Sequence, residues 1–234
     1  MGSTKGDPGV MPSAQEAPKA VREAPAPRPR GRPRKVTREA ALEAAMQVFW
    51  AEGFEGASID RLSRAMGVPR ATLYQEHGDK EGLFLGALGH FTRTRLQVPM
   101  AALAGPGPLR ADLLRFYEAV IDMALSADRA PGCLMASALS DAAGANLRLR
   151  AELDRHYTGL EKVLTRRFAA ARAELAAPDT PPETLALLAA SVARGMMLRA
   201  RAGSDRATMQ AACRAAVAAL FTAPAQDGSG ATAR

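Results

Sequence analysis

From about residue 37 onwards, apolar residues recur at intervals of three and four and rarely alternate with polar ones. That spacing lays them along one side of a helix. Leu42, Ala45, Met46 and Phe49 form the first stripe, entered through Thr37 as a capping side chain, with Glu39 and Glu43 near the positive helix end and Gly53 as the expected stop. Ser58 opens a short second helix, Ile59 to Met66, which Gly67 ends. A third, from about Pro69 to His77, begins with proline in its favoured first position. Two short helices joined by a tight glycine turn spell a helix-turn-helix at about 59–78. Asp79 then caps a longer helix, with Leu83, Phe84, Ala87, Leu88 and Phe91 on one face, expected to run to about Val98.

The pattern continues beyond the breaker Gly105-Pro106-Gly107-Pro108. Leu113, Tyr117, Val120, Ile121 and Ala124 line one helix, and Pro131-Gly132 starts a short one. A long helix is expected from Asn146 to about Ala176, another from Glu183 to Arg201 after three prolines, and a last one through Phe221 capped by Ser204. Residues 1–29 and those from about Thr222 offer little to bury and are expected to be disordered. The organisation expected is a basic tail at 1–35, a reading head at 36–96, a second helical domain at 97–222 and a tail at 223–234.

Composition sharpens the fold class. The chain has 51 Ala and 25 Leu against 10 Val and 2 Ile, so helices are favoured over sheets and the fold class is all-α. No apolar run approaches the ~20 residues of a membrane helix, and no signal peptide opens the chain, so a cytoplasmic protein without a membrane partner is expected. Two cysteines and three histidines make a structural metal or cofactor site an unexpected feature.

The net charge of +7 is unevenly placed. Residues 1–36 hold eight Lys/Arg and three Asp/Glu, a balance of +5, which leaves +2 for the remaining 198 residues. Residues 37–80 hold five basic and seven acidic side chains, a balance of −2. The expected head is therefore slightly acidic, and the basic surplus sits beside it.

The run Gly53-Phe54-Glu55-Gly56-Ala57-Ser58-Ile59, then Leu62, Ala65, Gly67-Val68, Thr72-Leu73-Tyr74 and Asp79-Lys80-Glu81-Gly82-Leu83-Phe84, resembles the tetracycline-repressor (TetR) family over about residues 37–95. The resemblance implies a homodimeric transcriptional regulator that binds a near-palindromic double-stranded DNA operator in the bacterial cytoplasm, commonly as a repressor. Its chemistry agrees with the residues. A recognition helix presents its N-terminal side chains to base edges while neighbouring groups hold phosphates. Arg70 is long enough for a guanine edge, Thr72 offers a hydroxyl and a methyl, and Gln75 suits adenine, with Ala71 beside them. Tyr74 and Lys80 suit phosphate, and Ala57 and Ser58 lie where the preceding helix meets the backbone. The same side chains also fit a bland reading, with Arg70 a solvated cation and Tyr74 a core aromatic.

One feature departs from the family pattern, and the basic tail adds another. Where relatives commonly carry His-Phe before the glycine, this chain reads Glu76-His77-Gly78, so His77 must find a partner or exposure. The tail at 29–33 resembles an AT-hook core, with Arg30, Gly31 and Arg32 suited to a narrow minor groove and Arg34 and Lys35 following. A generic basic tail that grips phosphates is the alternative, and both readings add affinity.

The family resemblance implies that the last helices pair two protomers. Leu188, Val192, Gly195 and Met196 on one, with Met209, Cys213, Ala216, Val217 and Leu220 on the other, make the candidate interface; the alternative is that these stripes face only the protomer's own core. It also implies an inducer pocket between head and interface, for which Phe116, Tyr117, Met123, Met135, His156 and Tyr157 are candidate liners. Cys133 follows Pro131-Gly132 at an expected helix start, where the dipole favours a thiolate able to sense oxidants or electrophiles; a small buried side chain is the alternative. The helix from Asp79 is the expected lever between pocket and head.

Two other classes remain open. A non-specific architectural protein would use the tail alone, and a helical enzyme would need a catalytic motif. No phosphate loop, His-Glu-x-x-His or Gly-x-Ser-x-Gly sequence is present, so no enzyme is expected.

Overall fold

A computed structural model describes residues 36–105, 107–126 and 132–221. The expectations for the tails at 1–35 and 222–234, including Arg30, Gly31, Arg32, Arg34 and Lys35, lie outside the described residues. Among these residues the elements are α1 (Arg38–Gly56), α2 (Ile59–Met66), α3 (Arg70–His77), α4 (Lys80–Arg95), α5 (Gln97–Leu103), α6 (Leu109–Leu125), a π-turn (Met135–Leu139) running into α7 (Ser140–Ala142), α8 (Leu147–Ala170), a 3₁₀ turn (Arg172–Glu174), α9 (Pro182–Arg201) and α10 (Arg206–Leu220). The fold is all-α, and the described residues hold only an isolated bridge between Leu175 and Phe221. None of these helices is long and apolar enough to cross a membrane.

Three of the first four helices start on a side-chain cap, whereas α3 starts at Arg70, with Pro69 in the cap position rather than the first helical one. Thr37, Ser58 and Asp79 each accept the backbone N–H three residues on, at 3.2, 3.2 and 2.7 Å. Gly53 does not end α1 but kinks it, taking φ +75° before one further turn to Gly56. That turn folds Phe54 back beside Phe49 and against Phe84 of α4, with ring centroids 6.3 and 5.1 Å away, while Trp50 meets Phe91 edge-on at 5.3 Å. Aromatic packing thus fixes α1 against α4.

Four further expected boundaries shift. The helix from Asp79 ends at Arg95 rather than Val98, because Pro99 has no N–H to return to the Arg95 carbonyl and its ring crowds it. The helix after Asn146 stops at Ala170, and the chain tightens into the 3₁₀ turn so that Leu175 can bridge Phe221. The cap of α10 is Asp205, whose Oδ1 accepts Thr208 N–H at 2.9 Å; Ser204 instead gives its own N–H to Arg199 and closes α9. The short helix expected at Pro131-Gly132 begins later, as the π-turn at Met135.

One apolar core runs from Ala41 to Phe221 through all the long helices. Its buried charge is Asp112, fully enclosed and held by Arg115 and Arg167; Arg167 also donates to the carbonyls of Gly105 (2.6 Å) and Gly107 (2.7 Å), pinning the loop before α6.

Candidate nucleic-acid interface and effector cavity

Helices α2 and α3 are locked at a fixed angle by their turn. Gly67 sits at φ +66° and returns its N–H to Arg64, Ser63 Oγ donates to the Val68 carbonyl at 2.6 Å, and Leu62 and Leu73 are buried between the helices. At the other end of α3, Gly82 allows the first turn of α4 to ride over the His77 carbonyl, where a Cβ would lie only 2.0 Å from the oxygen.

This frame leaves one face of α3 in solvent. Arg70, Ala71, Tyr74, Gln75 and Glu76 are exposed, and Thr72 is half-buried beside them. Ser58 is exposed as well, but Ala57 is wholly buried, so its side chain belongs to the core and only its backbone can approach a surface partner. Each cation of this face already has an acidic neighbour. Arg70 pairs with Asp60, and Lys80 lies 3.8 Å from the Glu55 carboxylate with its ammonium 4.6 Å above the Phe54 ring. The acidic balance read from the sequence is therefore local: these carboxylates sit on the cations themselves.

His77 takes the inward position. Its imidazole is buried beside Gly86 and Leu42, and burial pushes its pKa below the ordinary value of 6.5, with Glu76 at 3.8 Å opposing and Arg38 assisting.

A second feature lies at the far end of α4. A cavity of about 470 Å³ opens between α4, α5, α6, α8 and α9. Of the candidate liners, Phe116, Met123, Cys133, Met135, His156 and Tyr157 face it. Tyr117 does not, because its hydroxyl is turned toward α9 and donates to the Ala189 carbonyl at 3.0 Å. Cys133 is buried, and desolvation raises its pKa; the N–H groups of Ala136 and Met135 act in the opposite direction but are outweighed, so of the two readings the small buried thiol fits and the stabilised thiolate does not. His156 Nε2 approaches Glu152 Oε1 to 3.0 Å without hydrogen-bond alignment, and burial lowers its pKa.

Sequence reasoning missed the cavity's arginines. Arg194 stacks on Tyr157 at 3.8 Å and donates to Glu161 at 2.6 Å, and Arg93 and Arg155 complete a basic edge. A lone guanidinium inside the apolar run Ser191-Val192-Ala193-Arg194-Gly195-Met196 was the available signal. Among the described residues no group of three His, Cys, Asp or Glu side chains is placed to hold a metal.

Helix α4 connects the two features. Lys80 lies at its start, next to α3, while Thr92 and Arg93 line the cavity. Glu43 of α1 holds α4 from the side, accepting from His90 and Arg95, each at 2.7 Å. Glu81 is joined to Asn146 and Arg148 at the start of α8, whose later residues Arg155, His156 and Tyr157 also line the cavity.

The candidate interface residues separate into two sets. Met209, Cys213, Val217 and Leu220 are buried against the protomer's own α6 and α9, so they form internal core and are unavailable to a partner. Burial also raises the Cys213 pKa to about 11. Leu188 is exposed, Val192, Gly195, Met196 and Ala216 are half-buried, and Leu187 and Leu198 add exposed apolar surface to α9.

Known proteins share this fold. The profile for bacterial regulatory proteins of the tetR family matches residues 41–87, and that for the tetracyclin repressor-like C-terminal domain matches residues 110–216. Cysteine-substituted variants of the TetR-family transcriptional regulator CifR, solved with 26-base-pair double-strand operator DNA, are 30% identical with TM-score 0.70; the match covers 80% of this chain and 98% of that one in one structure, 81% and 100% in the other. An uncharacterised HTH-type transcriptional regulator of Bacillus subtilis, YezE, is 27% identical over 88 residues, 38% of this chain and 45% of its own length. The HTH-type transcriptional repressor ComR of Escherichia coli is 31% identical over 91 residues, 38% of this chain and 43% of its own length, so the chain spans less than half of either curated relative. The chain belongs to the tetR family of DNA-binding transcriptional regulators.

Proposed function

We propose that the protein is a homodimeric repressor whose hold on a near-palindromic operator is released by a small molecule in the cavity. The observation that carries this reading is the reach of α4, which starts beside the exposed face of α3 and ends in the cavity wall. A ligand that favours one setting of α4 changes the separation of two reading heads, and DNA must oppose ligand binding by the same coupling factor. Arg70, Thr72 and Gln75 would read base edges, and Ser58, Tyr74 and Lys80 would hold phosphates. The operator of CifR is double-stranded DNA, which supports the same partner here. Exposed Leu187, Leu188 and Leu198 supply the apolar surface for a second copy.

Footprinting across the DNA upstream of its own gene tests this reading. The expected result is protection of a near-palindrome overlapping a promoter, with Arg70→Ala costing about 1–3 kcal/mol of affinity and relaxing one base position in each half-site. Deleting residues 1–35 should weaken binding and flatten its salt dependence. Equal affinity for scrambled DNA would overturn it in favour of an architectural role.

A further inference from the structure

We infer that the cavity takes an amphipathic organic anion, an apolar body of about a dozen carbons ending in a carboxylate. The inference rests on the effector reading above. At the ~30 Å³ a water occupies in the liquid, the 470 Å³ cavity corresponds to about 16 water-sized volumes. Its walls are mostly apolar: Phe116, Val120, Met123, Met135 and Met197 surround the space, and flexible methionines adapt to chains of varied shape.

The polar edge has one sign. Arg93, Arg155 and Arg194 line the cavity, whereas Glu152 and Glu161, which pair with the last two, do not. The positive ends of these pairs thus face the space and the negative ends stand behind them. Arg194 is the anchor. Stacking on Tyr157 fixes its plane, and its bonds to Glu161 and the Tyr157 carbonyl both use Nη2, leaving the donors of Nη1 and Nε for a ligand. His156, also on the cavity wall, already has the Glu152 carboxylate 3.0 Å from its Nε2, so Arg194 carries the recognition. A carboxylate satisfies the free donors of Arg194, a neutral chain leaves them desolvated, and an ammonium is repelled.

Displacement of the neutral dye N-phenyl-1-naphthylamine from the full chain at about pH 8 tests this, using decanoate, decanol and decylamine. Decanoate should displace the dye at concentrations at least about tenfold below decanol, as one charge-assisted hydrogen bond implies, with decylamine weakest. Arg194→Gln should erase the decanoate preference and leave decanol unchanged. Arg155→Gln, at a more exposed position, should reduce it several-fold and serves if the first variant does not fold. Displacement by decanol or decylamine as readily as by decanoate overturns the anionic class, and so does failure of all three against a bound dye; the effector reading survives both. Failure of the dye itself to bind overturns the inference and the effector reading together.

Discussion

Glu81 accepts a 2.6 Å hydrogen bond from Asn146, tying the residue after Lys80 to the cap of the helix that walls the cavity. Asn146 works in both directions: its amide N–H₂ reaches Glu81 while its Oδ1 accepts the N–H groups of Arg148 and Leu149. Asn146→Ser keeps a cap and loses only the tie. Asn146→Asp keeps the cap equally well but sets a carboxylate against Glu81. Asn146→Ser should therefore be about 1 kcal/mol less stable than the parent in urea unfolding and Asn146→Asp less stable still; a Ser variant as stable as the parent would show that the tie contributes nothing.

The corner between α3 and α4 makes a sharper demand. At Gly82 a Cβ would sit 2.0 Å from the backbone oxygen of His77, whereas at Gly86 the nearest atom, at 3.3 Å, is the flexible end of Leu42. Gly82→Ala should lose about 3 kcal/mol or more and most operator affinity, because the backbone of the reading head must move. Gly86→Ala should cost less than half as much. Urea unfolding of the two variants side by side checks the order.

How much of this was legible follows from how far each signal reaches. The caps at Thr37, Ser58 and Asp79 and the left-handed turn at Gly67 are decided within four residues, so the sequence displays them openly. The stripe of Met209, Cys213, Val217 and Leu220 says that one face of α10 is buried, but a periodicity does not name its partner, and the partner here is the same protomer. Arg194 and Tyr157 are 37 residues apart and become an anchor only when α8 and α9 pack together. Cys133 left two readings open: the helix-start argument for a thiolate is local, whereas the burial that favours the small buried side chain is tertiary and decides between them.

Gly195 separates monomer from dimer energetics. A Cβ there meets nothing within 4 Å in the protomer, so replacing a helix-interior glycine with alanine should stabilise a lone protomer by about 0.5–1 kcal/mol. If α9 packs closely against its counterpart in a second copy, the same methyl intrudes on the interface. Sedimentation of Gly195→Ala should then show a weaker dimer beside a protomer of undiminished stability. An unchanged dimerisation constant would place the interface away from this point of α9.

His77 gives the fold a dependence on acid. Its pKa in the folded chain lies below the ordinary 6.5, chiefly because the ring is buried, with Glu76 partly offsetting the shift. Between the lowered value and 6.5 the unfolded chain binds a proton that the folded chain refuses, so stability rises with pH across that window and is lost as pH falls through it. Phenylalanine at this position carries no such proton, and it also removes a polar ring from an apolar site. The stability advantage of His77→Phe over the parent, measured by urea unfolding at about pH 7.5, 6.5 and 5.5, should widen with acidification. Some acid sensitivity should persist in the variant, because His156 is shifted in the same direction. Parallel curves for the two proteins would mean that His77 titrates alike in the folded and unfolded chain, and that its burial exerts no force on its proton.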